Sequence, residues 1–136
     1  MDGPSPARLY ASLAGATLLV AGIVGFFYSA SFGSPGEVEE MLGALAVNGW
    51  SNALHALAGA VGLLAADRHS RGYSLGLGAV LIALALWGFA LGGGGAILGF
   101  LPVNAGTDLL HLLLGACGVW AALATPAARA RPGAAT

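Results

Sequence analysis

The sequence predicts an all-α integral membrane protein, with four transmembrane helices in an up-and-down bundle made of two helical hairpins related as a parallel repeat. Three observations carry this expectation: a composition too apolar for a water-soluble domain, four apolar stretches of spanning length, and a self-similarity that pairs the first half of the chain with the second. Of the 136 residues, 57% are hydrophobic and 8% charged, with a mean hydropathy of +0.83. A soluble domain carries about 25% charged residues. Five arginines, no lysine and a net charge of −1 exclude an electrostatic nucleic-acid binder, which needs a basic face to neutralise phosphates. The single cysteine, Cys117, cannot form an internal disulfide or a cysteine metal cage.

The apolar stretches run roughly from Leu9 to Phe32, Leu45 to Ala66, Tyr73 to Phe100 and Val103 to Thr125. Each reaches the ~20 residues that a helix needs to cross a ~30 Å hydrocarbon core. They contain no Arg, Lys or Glu and are apolar on all sides, so they read as spans and not as amphipathic surface helices. The first resembles a secretory signal in having Arg8 before it and Ser29-Ala30-Ser31 after it. It is longer than an ordinary signal core, and its pairing with the third stretch argues that it is retained. The transmembrane domain is thus expected over residues 9–125, between a short N-terminus (1–8) and a disordered Ala/Pro/Arg/Gly tail (126–136).

Charge placement sets the orientation. Arg8 precedes the first stretch, Arg68 and Arg71 separate the second and third, and Arg129 and Arg131 follow the fourth. The connection between the first and second stretches carries Glu37, Glu39 and Glu40 instead. Basic loops stay in the cytoplasm, so both termini are expected on the cytoplasmic side of the membrane and the acidic loop outside.

The duplication is read from two offsets. Leu42-Gly43, Val47-Asn48, Leu54-His55, Gly59-Ala60 and Gly62 recur 56 residues later at Leu98-Gly99, Val103-Asn104, Leu110-His111, Gly115-Ala116 and Gly118. Arg8, Tyr10, Gly15-Ala16 and Gly25-Phe26 recur 63 residues later at Arg71, Tyr73, Gly78-Ala79 and Gly88-Phe89. The seven-residue difference falls in the outer loop of the first copy, around residues 33–40. Repeat 1 covers about 8–66 and repeat 2 about 71–125. Two spans per copy keep both copies in one orientation, giving a pseudo-twofold axis along the membrane normal.

Asn48, Asn52, His55, Gly59 and Gly62 are spaced 4, 3, 4 and 3 and share one face of the second helix. Asn104, Asp108, His111, Gly115 and Gly118 make the same stripe on the fourth. Asn48 and Asn104 read as N-caps. The remaining amides and imidazoles read as an interhelical polar network or a ligand site, with Asp108 and His111 able to pair at i,i+3. The four glycines permit close packing. Two cofactor readings stand beside this one. In one, His55 and His111 are axial ligands of a b-type haem, against which counts the lack of any outer Arg or Lys for the propionates. In the other, His55, His111 and Asp108 hold a non-haem metal as a two-His, one-carboxylate set. A proton pathway lacks relay groups in the inner half of the spans.

Smaller signals follow. Gly92 to Gly95 mark an interfacial break. Trp50, Phe32 and Phe100 suit an outer aromatic belt, and Tyr10 and Tyr73 an inner one. Small residues at Ala11, Gly15, Gly22, Gly25, Gly76, Gly78 and Gly88 permit helix contact. Cys117 reads as a small core residue, and no serine–histidine–aspartate arrangement is present.

The blocks from Val47-Asn48 through His55 to Gly59, and from Leu101-Pro102-Val103-Asn104 to Leu110-His111-Leu112-Leu113-Leu114-Gly115, resemble a bacterial family of four-helix membrane proteins known as domain of unknown function 4383. The likeness covers about residues 8–125. The first copy departs from the fuller block at Ala46 and at Ala56-Leu57-Ala58. The resemblance implies a multi-pass topology and brings no activity, cofactor or catalytic residue.

The function expected from the sequence is non-catalytic. It is that of a small accessory, scaffold or assembly subunit without a cofactor, surrounded by lipid, packing against other membrane subunits or its own copies. The alternative is a small haem- or metal-binding redox protein using His55 and His111.

Overall fold

A computed structural model describes residues 3–127. Residues 1–2, Arg129, Arg131 and nearly all of the expected tail lie outside the described residues. Four helices, α1 (Pro6–Gly25), α2 (Gly49–Ala65), α3 (Ser70–Ala90) and α4 (Ala105–Ala124), alternate with two short β-hairpins, β1–β2 (Glu39–Met41, Leu45–Val47) and β3–β4 (Gly95–Ile97, Leu101–Val103). Helices α1, α3 and α4 are each long and apolar enough to cross a membrane.

Local chemistry explains where the helices start. Ser5 accepts from the Arg8 amide and Pro6 opens α1, a position where a missing N–H costs nothing. Asn48 and Ser51 form a reciprocal capping box on α2, and Asn104 accepts from the Thr107 amide to cap α4. Each such cap contributes about 1 kcal/mol.

The hairpins correct the all-α expectation and the outer bounds of the apolar stretches. Residues 26–32, 45–48, 91–100 and 103–104 leave the helices. Both hairpins are antiparallel, with Met41 opposite Leu45 and Ile97 opposite Leu101. Their turns place Leu42 at φ +56° and Gly43 at +68°, and Leu98 at +52° and Gly99 at +80°. Positive φ at two successive residues gives a turn whose twist suits a hairpin. The glycine takes this freely, whereas a leucine there costs roughly 1–2 kcal/mol. Burial of Met41, Val47, Ile97 and Val103 under the outer end of the helices offsets that cost. Apolar residues that roof a bundle look, by hydropathy, like one more turn of helix.

The helices associate as two tight antiparallel pairs. On α1 and α2, a Cβ added to Gly15 would meet Leu63 N at 2.9 Å and Gly59 O at 3.0 Å. On α3 and α4, one added to Gly78 would meet Gly115 O and Val119 N at 2.8 Å. Helix α1 also touches α3 and α4, while α2 and α3 meet over a smaller area. Two tyrosines bridge the pairs: the Tyr10 hydroxyl donates to Leu114 O and the Tyr73 hydroxyl to Ala58 O, both at 2.9 Å. At the same end, Ser74 Oγ donates to Ala7 O (3.2 Å), Arg71 Nε to Ala122 O (3.1 Å), and Arg8 pairs with Asp67 (2.6 Å) on the surface.

Candidate functional site

The polar residues of α2 and α4 divide by depth. Asn48 is fully buried and donates through Nδ2 to Pro35 O (2.8 Å) and Phe100 O (2.7 Å), tying the α1–β1 loop to the β3–β4 hairpin. Asn104, besides capping α4, donates through Nδ2 to Glu40 Oε1 at 3.4 Å. Thr107 Oγ1 accepts from the Ala46 amide at 3.0 Å and so joins β2 to α4. Around this level Phe26, Phe32, Trp50 and Phe100 form a continuous aromatic chain with centroid separations of 6.3, 5.1 and 5.5 Å. Trp50 also donates to Phe32 O at 3.0 Å.

One turn further in, Asn52 and Asp108 are both fully buried. Each lies against a glycine of the paired helix, Asn52 on Gly25 and Asp108 on Gly88, where any β-carbon would collide with the side chain. Asn52 Nδ2 donates to Ser29 O at 2.9 Å. Neither carboxyl oxygen of Asp108 has a hydrogen-bond partner among the described residues. The expected pairing of Asp108 with His111 is therefore not made, because the carboxylate faces α3 across Gly88.

His55 and His111 come together across the two pairs, their ring centroids 6.0 Å apart and their planes at 76°. Neither is hydrogen-bonded among the described residues, and Nδ1 of each is buried without a partner. The polar stripe is thus not one network: its asparagines bond to backbone, and its histidines meet only each other. Among the described residues no three His, Cys, Asp or Glu gather as metal ligands, so the set of His55, His111 and Asp108 is not assembled.

Both histidines line a cavity of about 190 Å³ between the helix pairs. Leu18 of α1, Leu54 and Ala58 of α2, and Leu77, Val80, Leu81 and Leu84 of α3 form its walls, and Ile97, Leu101, Pro102 and Val103 roof it. Ser51 and Thr107 lie at its edge, with their hydroxyls already engaged by Asn48 and Ala46. No charged side chain lines it. Gly59, Gly62, Gly115 and Gly118 continue inward below the histidines, all buried. Gly59 receives α1, Gly115 receives α3, and Gly62 and Gly118 receive the rings of Tyr73 and Tyr10.

A family model described as "Domain of unknown function (DUF4383)" matches residues 8–124. The chain belongs to the DUF4383 family. The match takes in both hairpins and all four helices except the first two residues of α1, and so includes every residue of the histidine cavity. No curated protein and no solved structure matches the chain.

Within this DUF4383 domain several working residues escape a reading of the sequence alone. Tyr10 and Tyr73, expected at an inner aromatic belt, instead cross between helix pairs. Their signal is the 63-residue offset that aligns them, combined with Gly62 and Gly118, whose missing side chains leave room for the rings. Leu18 and Leu81, related by the same offset, both reach the cavity from opposite helix pairs. Cys117 is exposed on α4, not in the core, because the small-residue face of α4 that meets α3 and α1 is Gly115 and Gly118.

Proposed function

We propose that the protein is a four-span membrane protein of the bacterial cytoplasmic membrane, an up-and-down bundle of two duplicated hairpins with both termini inside. In this reading it is a non-catalytic accessory subunit that holds a helix of another membrane subunit, or of its own copy, against α3. Helix α2 has 17 residues, a rise of roughly 26 Å, and with β2 above it suits a fourth span. The antiparallel contacts, the paired tyrosines and the two hairpins 56 residues apart support a duplication. Arg8 and Arg71 at one end, and Glu37, Glu39 and Glu40 towards the other, support the orientation.

The observation that carries the packing role is how the glycines are used. Gly15, Gly22, Gly25, Gly59, Gly62, Gly78, Gly88, Gly115 and Gly118 are each filled by a neighbouring backbone or side chain. Among the described residues, a β-carbon on Gly72 or Gly76 would meet nothing within 4 Å. With Ala79 and Ala83 they make an exposed small-residue face at 4, 3 and 4 spacing along α3. A glycine inside a helix costs about 1 kcal/mol relative to alanine, and in a membrane close approach of another backbone offsets that cost.

Native mass spectrometry of protein gently extracted from its own membranes tests this reading. The wild type is expected as whole multiples of the chain or with other subunits attached, and Gly72→Leu/Gly76→Leu as the bare chain with unchanged helix content. A wild type that flies only as a bare monomer, or a variant that keeps its partner, overturns the packing role.

A further inference from the structure

The cavity that joins the two helix pairs has a composition that ordinary packing does not explain. An apolar void of 190 Å³ is larger than one of 150 Å³ that accepts benzene. Two imidazoles border it in a wall that is otherwise aliphatic apart from Ser51 and Thr107, whose hydroxyls are engaged elsewhere. In each ring Nδ1 is covered and unpartnered, while Nε2 is not among the covered atoms and makes no hydrogen bond among the described residues. A neutral imidazole carries both a donor and an acceptor, and leaving such groups unpaired inside an apolar site costs about 1–3 kcal/mol each. Packing alone would be served better by leucine at both positions.

The walls also say how an occupant enters. Leu54 and Val80 line the cavity and are nonetheless 45% and 54% exposed, so it opens sideways between α2 and α3. Those helices meet over a small area and are held further in by the Tyr73 hydroxyl on Ala58 O. Outward, Ile97, Leu101, Pro102 and Val103 close it against the aqueous phase. The opening therefore faces the bilayer interior, on the membrane placement proposed above but independently of any partner on α3. The absence of any charged lining residue disfavours a phosphate or carboxylate head, which would be buried without a cation.

We infer that the cavity bordered by His55 and His111 binds a neutral, oxygen-bearing six-membered ring on an apolar tail, of the quinone and quinol class, admitted from the lipid between α2 and α3. The ring fills the void under Ile97 and Leu101, its oxygens hydrogen-bond to the imidazoles, and the tail leaves past Leu54 and Val80.

The test uses the full-length protein, with ¹⁵N-labelled histidine, in lipid nanodiscs. The probe is decyl-1,4-benzoquinone, with decylbenzene as the oxygen-free control. Saturable binding of one quinone is expected to shift the ring-nitrogen resonances of His55 and His111, while His69, exposed between α2 and α3, stays in place. His55→Phe and His111→Phe, which keep the ring volume, should each weaken binding about tenfold, the loss of one hydrogen bond. Val80→Trp, at the exposed mouth, should abolish binding without disturbing the core, which keeps the test decisive if a histidine variant fails to fold. The inference is overturned by no resonance shift at saturating quinone, by an equal response to decylbenzene, or by undiminished affinity in both histidine variants. None of these outcomes bears on whether a partner sits on Gly72 and Gly76, which the native mass measurement decides.

Discussion

Asn52 and Asp108 hold matching places on α2 and α4, 56 residues apart, yet their surroundings treat them differently. Each is pressed against a glycine of the paired helix and is wholly buried. The amide of Asn52 finds Ser29 O at 2.9 Å, whereas the carboxyl of Asp108 finds no donor among the described residues. Asp108→Asn would replace a buried carboxyl that has no donor among the described residues with the neutral amide that its counterpart Asn52 already carries. The variant is expected to gain about 1 kcal/mol, read as a higher midpoint of thermal unfolding in detergent. A lower midpoint would mean that the carboxyl is already satisfied in the membrane. The same residue scale explains the glycines: Gly25 and Gly88 are required because any β-carbon would occupy the space of the amide and the carboxyl.

At the scale of elements, the strength of each helix pair comes from backbone approach and not from large side chains. A Cβ added to Gly59 would meet Gly15 O at 2.6 Å and the Leu19 backbone, neither of which can move without shifting α1. Gly59→Ala is therefore expected to destabilise the protein by about 1–3 kcal/mol. Gly76→Ala, which meets nothing, is expected to be neutral, or stabilising by the propensity difference of about 1 kcal/mol. Urea or thermal unfolding of the two variants side by side checks the contrast, and equal effects would refute it. The hairpins belong to this scale too. Each is only three residues per strand, far too short to stand alone. Their stability comes from Met41, Val47, Ile97 and Val103 sinking into the helix ends.

At the scale of the whole molecule, two helix pairs are joined by few polar links, and these are distributed unevenly. The inner end carries Tyr10, Tyr73, Ser74 and the Ala7–Thr125 bond. The outer end is clasped by Asn48 and Thr107. Between them lies the histidine cavity, a gap between the pairs. A molecule tied at both ends and loose in the middle is suited to admitting a small apolar occupant without coming apart. The proposed orientation makes a further prediction at this scale. A reporter fused after Thr136 should be active only in the cytoplasm, and cysteines introduced at Glu37 or Glu39 should react with a membrane-impermeant reagent from outside. Periplasmic activity of the fusion, or protection of the acidic loop, would reverse the topology.

The sequence by itself determined the membrane character, the two caps at Asn48 and Asn104, and the family. These rest on local quantities: mean hydropathy over ~20 residues, a side chain reaching its own helix terminus, and runs of identical residues. It also placed Asn48, Asn52, His55, Asn104, Asp108 and His111 on common helix faces, since 3.6 residues per turn is a property of the chain alone. What those faces meet was decided only in three dimensions. Asp108 faces Gly88 on α3 and not His111 on its own helix, because the missing side chain of Gly88 leaves room on α3 for the carboxyl. The apolar outer segments fold as hairpins and not as further helix turns, because they must bend back to roof the bundle, and hydropathy has no direction. The cavity, finally, is a gap between helix pairs: its walls come from all four helices and both hairpins, and no local stretch of sequence contains it.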